Sequence, residues 1–235
     1  MAELVRNVPA VVLAVYAHPD DPEVACGGTL ARWAGSGAEV HLVIVCAGDK
    51  GSHDPAGDPV VVAGQRAEEV AAAARVLGLA SHEMLGYPDG SVEDTPALRE
   101  TLVAAVRRLR PDAVVCPDPT PAFFGRTYIN HRDHRIVGWA TLDAVAPAAW
   151  SPLYFPAAGP PHRVAEVWLS GTLDPDAFVD IEGAVEVKTA ALQCHQSQMQ
   201  GSDDVLATAI RRRAEDAGRA AGVRYAEGFK LLAPS

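Results

Sequence analysis

Apolar positions along this chain follow two alternating rhythms. Short, β-branched-rich runs, Val11 to Tyr16 and Glu39 to Cys46, read as strands. Between them Gly27 to Gly37 reads as a helix closing on Gly35 and Gly37, so the opening unit is βαβ. Val61 to Leu77 carries Val70, Ala74 and Leu77 on one helical face and Arg66, Glu68, Glu69 and Arg75 on a more exposed one, and Gly78 stops it. A short strand is predicted near Glu83 to Leu85. Thr95 to Leu109 follows as a helix capped by Asp94 or Thr95, and Pro111 separates it from a strand over Ala113 to Cys116. This alternation predicts an α/β fold: a Rossmann-like, mostly parallel sheet with helices on both faces.

Beyond it, Pro117 to Thr127 reads as a loop rich in proline and aromatics, and His131 to Val145 as a helix. A proline-rich connection, Pro147 to Pro161, leads to strands over Val164 to Ser170 and Phe178 to Ile181. Helices over Ala184 to Gln193 and Asp203 to Ala221 and a small closing strand, Tyr225 to Leu232, complete the chain. The expectation is one domain over 1–235, with a Rossmann-like core over 1–146 and the remainder completing it.

Composition narrows the class. With 235 residues, 49% of them hydrophobic, the chain can bury a large core. No apolar run is long enough to span a membrane, and the first residues, Met-Ala-Glu-Leu-Val-Arg, lack the apolar stretch of a signal peptide, so a cytoplasmic location is the default expectation. A net charge of −10 disfavours nucleic acid, and the basic run Arg211-Arg212-Arg213 is followed by Glu215-Asp216, which reads as a solvated helix face. Cys26, Cys46, Cys116 and Cys194 are far apart with no C-x-x-C pair, and read mainly as small core residues.

Candidate chemistry gathers in two segments. His18-Pro19-Asp20-Asp21-Pro22-Glu23 directly follows the first strand, at the edge where open α/β sheets place their sites. A catalytic metal takes three protein ligands from His and Asp/Glu and needs a carboxylate beside its water. His18 and Asp21 suit ligation and Asp20 the water. The third ligand is expected from His131-Arg132-Asp133-His134, whose two histidines stand three apart at the start of a helix and share a face. One can bind metal and the other can move a proton, while Asp133 can orient a ring nitrogen.

These residues carry a resemblance. His18-Pro19-Asp20-Asp21 with Glu23 and Gly27-Gly28-Thr29, and His131-x-Asp133-His134, resemble the two signature motifs of the LmbE-like, or PIG-L, N-deacetylase family. Arg66-x-x-Glu69, Tyr87-Pro88-Asp89-Gly90 and His195-Gln196-Ser197-Gln198 add to the likeness, which covers nearly the whole chain. The resemblance implies a zinc-dependent hydrolase that removes an N-acyl group from an N-acetylglucosamine-type small molecule, with Fe(II), Co(II) or Mn(II) as alternative metals. It implies His18, Asp21 and His134 as ligands, Asp20 as general base, and His131 as oxyanion stabiliser or acid. Arg66 and Asp89 fall where the family contacts sugar hydroxyls, with Asp133 and His195 behind the site. Tyr128 lies three residues before His131, where some members carry a tyrosine two before it. Thiol conjugates cleaved at an amide are an alternative substrate, and a homo-oligomer is compatible with the reading.

Each feature also has a plainer reading. His18 and Asp21 suit the cap of a helix, Arg66 with Glu69 a surface ion pair, and His195 with Gln198 helix capping. His41, His53, His82 and His162 lack ligand-like neighbours. A dinucleotide binder fits poorly, because Gly35-Ser36-Gly37 lacks a third glycine and precedes a strand. A non-catalytic metal- or sugar-binding protein of the same fold has no need of the carboxylate at Asp20.

Overall fold

The computed structural model describes residues 3–52, 54–199 and 203–234. His53 lies outside the described residues. An eight-stranded sheet runs in the order β1(Glu3–Leu4), β9(Ala177–Asp180), β10(Ala226–Leu232), β8(Glu166–Ser170), β5(Ala113–Pro117), β2(Val11–Tyr16), β3(Glu39–Cys46), β4(Ser81–Tyr87). All neighbours are parallel except β10, which runs against both β8 and β9. The two-stranded hairpin β6(Phe123–Phe124) and β7(Tyr128–Ile129) stands apart, its first strand within the segment read as loop and its second just beyond it.

Alternation along β2 explains its unbroken apolar run. Leu13, Val15 and Ala17 join one core with Leu98, Leu102, Val137 and Ala140, from α3(Pro96–Leu109) and α4(Arg132–Asp143). Val12, Ala14 and Tyr16 join the other, with Leu30 and Trp33 of α1(Asp21–Gly35), Val185 of α5(Val185–Leu192) and Ala214 of α7(Asp203–Ala221). Both faces are therefore covered, as a parallel sheet requires. Trp168 anchors the second core, meeting Trp33 and Phe229 edge-on at ring separations of 5.2 and 5.4 Å. No helix among the described residues is long and apolar enough to cross a membrane.

Local chemistry moves several boundaries. The first helix begins at Asp21, not Gly27, because Pro22 is suited to a helix's first turn. It kinks at Cys26, and Glu227 accepts hydrogen bonds from the amides of Gly28 (3.1 Å) and Thr29 (2.7 Å), capping the second part from the side. Gly28 is required there, since a Cβ would lie 2.7 Å from Ile181 Cδ1. Cys26 is fully buried against Tyr16, in keeping with a small core residue. The second helix, α2(Pro59–Leu77), starts two residues before Val61, with Asp58 capping Val60 N at 2.8 Å. The helix expected over His131 to Val145 ends at Asp143 and passes into a wide turn, Ala144–Ala149.

The proline-rich connection is organised by one buried cation. Arg107, 2% exposed, donates to the carbonyl oxygens of Ala148, Ala149, Ser151, Tyr154, Phe155 and Gly159 at 2.7 to 3.1 Å. Guanidinium suits this because its planar fork offers five N–H donors. Arg107→Met should leave those carbonyls unsatisfied and destabilise the fold by about 3 kcal/mol or more, read as a shifted urea midpoint. A change under about 0.5 kcal/mol, the scale of surface substitutions, would contradict this account.

Candidate active site

The chain order places a crevice at β2. From β2 the chain builds outward through β3 and β4, then returns to place β5 on the other side, so loops leaving β2 and β5 diverge at the carboxyl edge. His18, Asp20 and Asp21 leave β2 there, and the segment after β5 leads to α4, which begins beside His131.

Three donors converge. His18 Nδ1 lies 3.1 Å from His134 Nε2, His134 Nε2 lies 3.2 Å from Asp21 Oδ1, and His18 Nδ1 lies 3.5 Å from Asp21 Oδ2. Tetrahedral ligands about 2.0–2.1 Å from a zinc ion stand about 3.3 Å apart, so the spacing fits a divalent metal. Both distal ring nitrogens are tied. His18 Nε2 donates to Asp133 Oδ2 at 3.2 Å, and His134 Nδ1 donates to Asn130 Oδ1 at 3.1 Å. Asn130 Nδ2 donates to Pro121 O at 2.8 Å, which turns its carbonyl oxygen toward His134. A protonated distal nitrogen leaves the facing one bare on each neutral ring, as ligation needs. Asn130 escaped the sequence reading; its place one residue before the histidine motif is the only signal.

A second donor set shares His18: Cys46 and Asp133 also offer ligand atoms within 4.8 Å of one another and of that ring. Asp133 Oδ2 already accepts from Gly90 N at 2.6 Å and His18 at 3.2 Å, and burial pushes the Cys46 thiol up. Of the two sets, the one with Asp21 and His134 has members that line the cavity, whereas Cys46 and Asp133 do not.

Electrostatics sharpen the contrast between the paired aspartates. Burial would raise Asp21, but His134 and His18 hold its carboxyl well below the usual range. Burial likewise opposes charge on His18, yet Asp21 pushes it up to about 11. Asp20 moves the other way: burial and the charge of Asp21 raise it to about 7 against the pull of Arg66. Its backbone sits at φ 85°, a left-handed conformation that Asp tolerates better than most residues, and its side chain makes no helix-cap bond. The N-cap position falls to Asp20 and not to Asp21, for which the cap was expected. Asp21 lies within the helix's first turn and accepts from His18 N at 2.8 Å.

His131 stands at the N-cap of α4 and its Nδ1 accepts from Asp133 N at 3.2 Å, so a neutral ring carries its proton on Nε2. Its ring meets His18 edge-on at 4.8 Å, and burial and the neighbouring His18 lower its pKa.

Arg66 and Glu69 are buried, which rules out the surface ion pair. Arg66 donates to Pro19 O at 2.5 Å and Asp20 Oδ2 at 3.1 Å. Its side chain fills the space beside Gly48 and Gly51, where an added Cβ would come within 2.7 and 2.5 Å of it. Glu69 accepts from Ser197 N and Oγ at 2.8 and 2.7 Å. Asp89 accepts from Gly48 N and Lys50 N at 2.9 and 3.2 Å, which ties the loops after β3 and β4 together. His195 is fully buried with Nε2 3.3 Å from Glu23 Oε2, behind Asp20 and away from the converging donors. His41 and His162 bond Ser81 Oγ and Pro111 O, outside the site. A cavity of about 630 Å³ opens over the site, with Asp20, Asp21, His134, Phe124, Tyr128 and Arg213 in its lining.

An open α/β sheet with two histidines and an aspartate converging at its switch point, beside a further carboxylate, defines a class of proteins suited to holding a divalent metal. Comparison with known proteins gives the family. The sequence profile described as PIG-L, GlcNAc-PI de-N-acetylase, matches residues 13–145, more than half of the chain. A diacetylchitobiose deacetylase of Thermococcus kodakarensis is 31% identical over 225 residues, covering 94% of this chain and 82% of the relative. A 1D-myo-inositol 2-acetamido-2-deoxy-alpha-D-glucopyranoside deacetylase of Mycobacterium sp. is 28% identical, covering 85% and 76%. Among solved structures, N,N'-diacetylchitobiose deacetylase from Pyrococcus horikoshii superposes with a TM-score of 0.87 at 30% identity, covering 96% of this chain and 84% of that one. GalB, a 4-carboxy-2-hydroxymuconate hydratase, shares the fold at 24% identity and a TM-score of 0.79. The chain belongs to the PIG-L (LmbE-like) family.

Removing the acceptor behind His134 with Asn130→Ala should weaken divalent-metal binding by about 10- to 100-fold in a calorimetric titration, while Asn130→Asp, which keeps the acceptor, should retain it. Equal affinity in wild type and Asn130→Ala would contradict the tautomer argument.

Proposed function

We propose that the chain is a divalent-metal-dependent hydrolase, with zinc as the resident ion, that removes the N-acetyl group from a small N-acetylglucosamine-type conjugate. The observation that carries this reading is the convergence of His18 Nδ1, His134 Nε2 and the Asp21 carboxylate at 3.1 to 3.5 Å, with both distal ring nitrogens tied back. These three side chains hold the ion. The deacetylases among the relatives support the reaction class.

Bound there, a divalent cation supplies Lewis acidity to a water and to the amide carbonyl. Asp20 takes the proton from that water. Arg66, donating to Asp20 Oδ2 at 3.1 Å, orients the carboxylate toward the cavity. As water oxygen bonds to the carbonyl carbon, negative charge develops on the carbonyl oxygen, and the Nε2–H of His131 donates to it. Cleavage of the C–N bond needs a proton on nitrogen, because an amide anion leaves poorly; a proton from His131 or from the newly protonated Asp20 completes the exchange into acetate and amine. Asp133 keeps His18 in the tautomer that presents Nδ1, and Asp89 holds the loop after β3 at the rim.

The test is primary-amine release from a panel of N-acetylglucosaminides that differ in aglycone. Chelation should abolish release and added zinc restore it. Asp20→Asn should cut turnover by about 100- to 10,000-fold with metal content unchanged, because Asn keeps the shape and tolerates the left-handed backbone. Loss of metal in parallel with activity would make Asp20 a ligand and overturn its assignment as base.

A further inference from the structure

The β6–β7 hairpin contributes to the cavity wall and is tied to the body of the protein at its base. Phe124 and Tyr128, one cross-strand pair, line the cavity with ring centroids 5.9 Å apart, while Phe123 and Ile129, the other pair, are 64% and 82% exposed. None of the four joins either main core, and among the described residues no side chain of 123–129 makes a hydrogen bond or ion pair. A two-stranded hairpin on its own is marginally stable in water. The segment before it is firmly held. Asp118 N donates to Ser170 O at 2.8 Å, Asp118 Oδ1 accepts from Thr120 N and Oγ1, and α4 packs so closely that a Cβ on Gly138 would lie 2.6 Å from Pro117 O. The hairpin itself closes on Asn130, whose backbone N donates to Ala122 O at 3.0 Å and whose Nδ2 donates to Pro121 O at 2.8 Å.

The other end of the same buried amide faces a metal-ligand candidate: Asn130 Oδ1 accepts from His134 Nδ1 at 3.1 Å. One rotation therefore governs both bonds. Turned over, the amide would set its NH2 against the His134 N–H and its oxygen against Pro121 O, so the hairpin bond and the ring bond coexist only while His134 carries its proton on Nδ1. Asp21 Oδ1, 3.2 Å from His134 Nε2, favours the competing tautomer with the proton on Nε2. In that tautomer a bare Nδ1 faces Oδ1, acceptor against acceptor. The amide recovers a bond to the ring by turning over, and loses Pro121 O in doing so. An ion on Nε2 excludes this competitor, and hydrogen bonds in series strengthen one another.

We propose that Asn130 is a positioning residue that couples the β6–β7 hairpin to the metal centre, so that an ion on His134 and the hairpin in its place on the cavity wall stabilise each other. This rests on the metal-centre part of the reading above and not on the identity of the substrate. The coupled element is the amide, whose two orientations are read at one end by His134 and at the other by the hairpin base, and such coupling is reciprocal. One neutral hydrogen bond corresponds to about 2- to 10-fold in an equilibrium constant, which sets the size of the effect. The wall that carries Phe124 and Tyr128 is thereby completed preferentially around a loaded centre.

The test is hydrogen exchange over residues 122–130, read by mass spectrometry on the whole protein with and without one equivalent of zinc. In wild type, zinc should slow exchange of the hairpin amides by about 2- to 10-fold. Asn130→Asp keeps the acceptor toward His134 and loses the donor toward Pro121, so it should still bind zinc while the hairpin no longer responds. A merely structural Asn130 would not separate these two readouts. Phe123→Gly, which loosens the hairpin from its exposed face, should by reciprocity weaken zinc binding in a calorimetric titration by no more than the same factor, and should have no such effect in the Asn130→Asp background. Hairpin exchange indifferent to zinc in wild type, or still responsive in Asn130→Asp, would overturn the coupling and leave the metal centre standing. Failure of wild type to take up zinc would remove the metal centre and the coupling together. Zinc-dependent protection without any amide hydrolysis would uphold the coupling and remove the deacetylase reading.

Discussion

One buried carboxylate oxygen holds the reacting end of the molecule together. Asp133 Oδ2, on a fully buried side chain, accepts from Gly90 N at 2.6 Å, from His18 Nε2 at 3.2 Å and from the Cys46 thiol at 3.7 Å. Those partners come from the loops after β4 and β2 and from the end of β3, while Asp133 itself rides on the first turn of α4. A negative charge so near a helix N-terminus is favoured by the helix dipole, and three donors offset its burial. The result is that His18 cannot rotate freely, and the ring edge it turns to Asp21 and His134 is decided by a residue on its other side.

The same economy runs through the buried ions behind the site. Arg66 ties α2 to Pro19 and Asp20, and Glu69, one turn later, ties α2 to Ser197. Lys188 donates to Glu227 at 2.5 Å and to Val24 O at 3.1 Å, while Glu227 caps the second part of α1. Breaking one partner of such a buried pair is costly because the other is left uncompensated. The helix that begins at Asp21 is thus fixed at its start, at its kink and from the side, which suits a residue, Asp20, whose backbone sits in a left-handed conformation.

Much of this was legible in the sequence because the chemistry is local. His18 through Asp21 and His131 through His134 are short motifs at a strand end and a helix start, and the alternation of apolar runs placed them at one sheet edge. Arg66 and Glu69 were visible as a pair, but only the fold shows that both are buried and that Arg66 serves Asp20. Other features depend on partners distant in sequence. Arg107 reaches carbonyls more than forty residues on, and Glu227 caps amides about two hundred residues before it, so neither leaves a local pattern. The helix α1 begins six residues before the expected Gly27, and Gly27 and Gly28 lie inside it, small for packing against Lys188 and Ile181. The β6–β7 hairpin is only two residues a side, too short to show an alternation.

The central claim is that His18 presents Nδ1 to an ion shared with Asp21 and His134, and not Nε2 to one shared with Cys46 and Asp133. X-ray absorption at the zinc edge of the protein loaded with one equivalent of zinc tests it directly. The account requires a shell of nitrogen and oxygen alone at about 2.0–2.2 Å, with the multiple scattering of two imidazoles. A sulfur scatterer at about 2.3 Å would place the ion on Cys46 and contradict it.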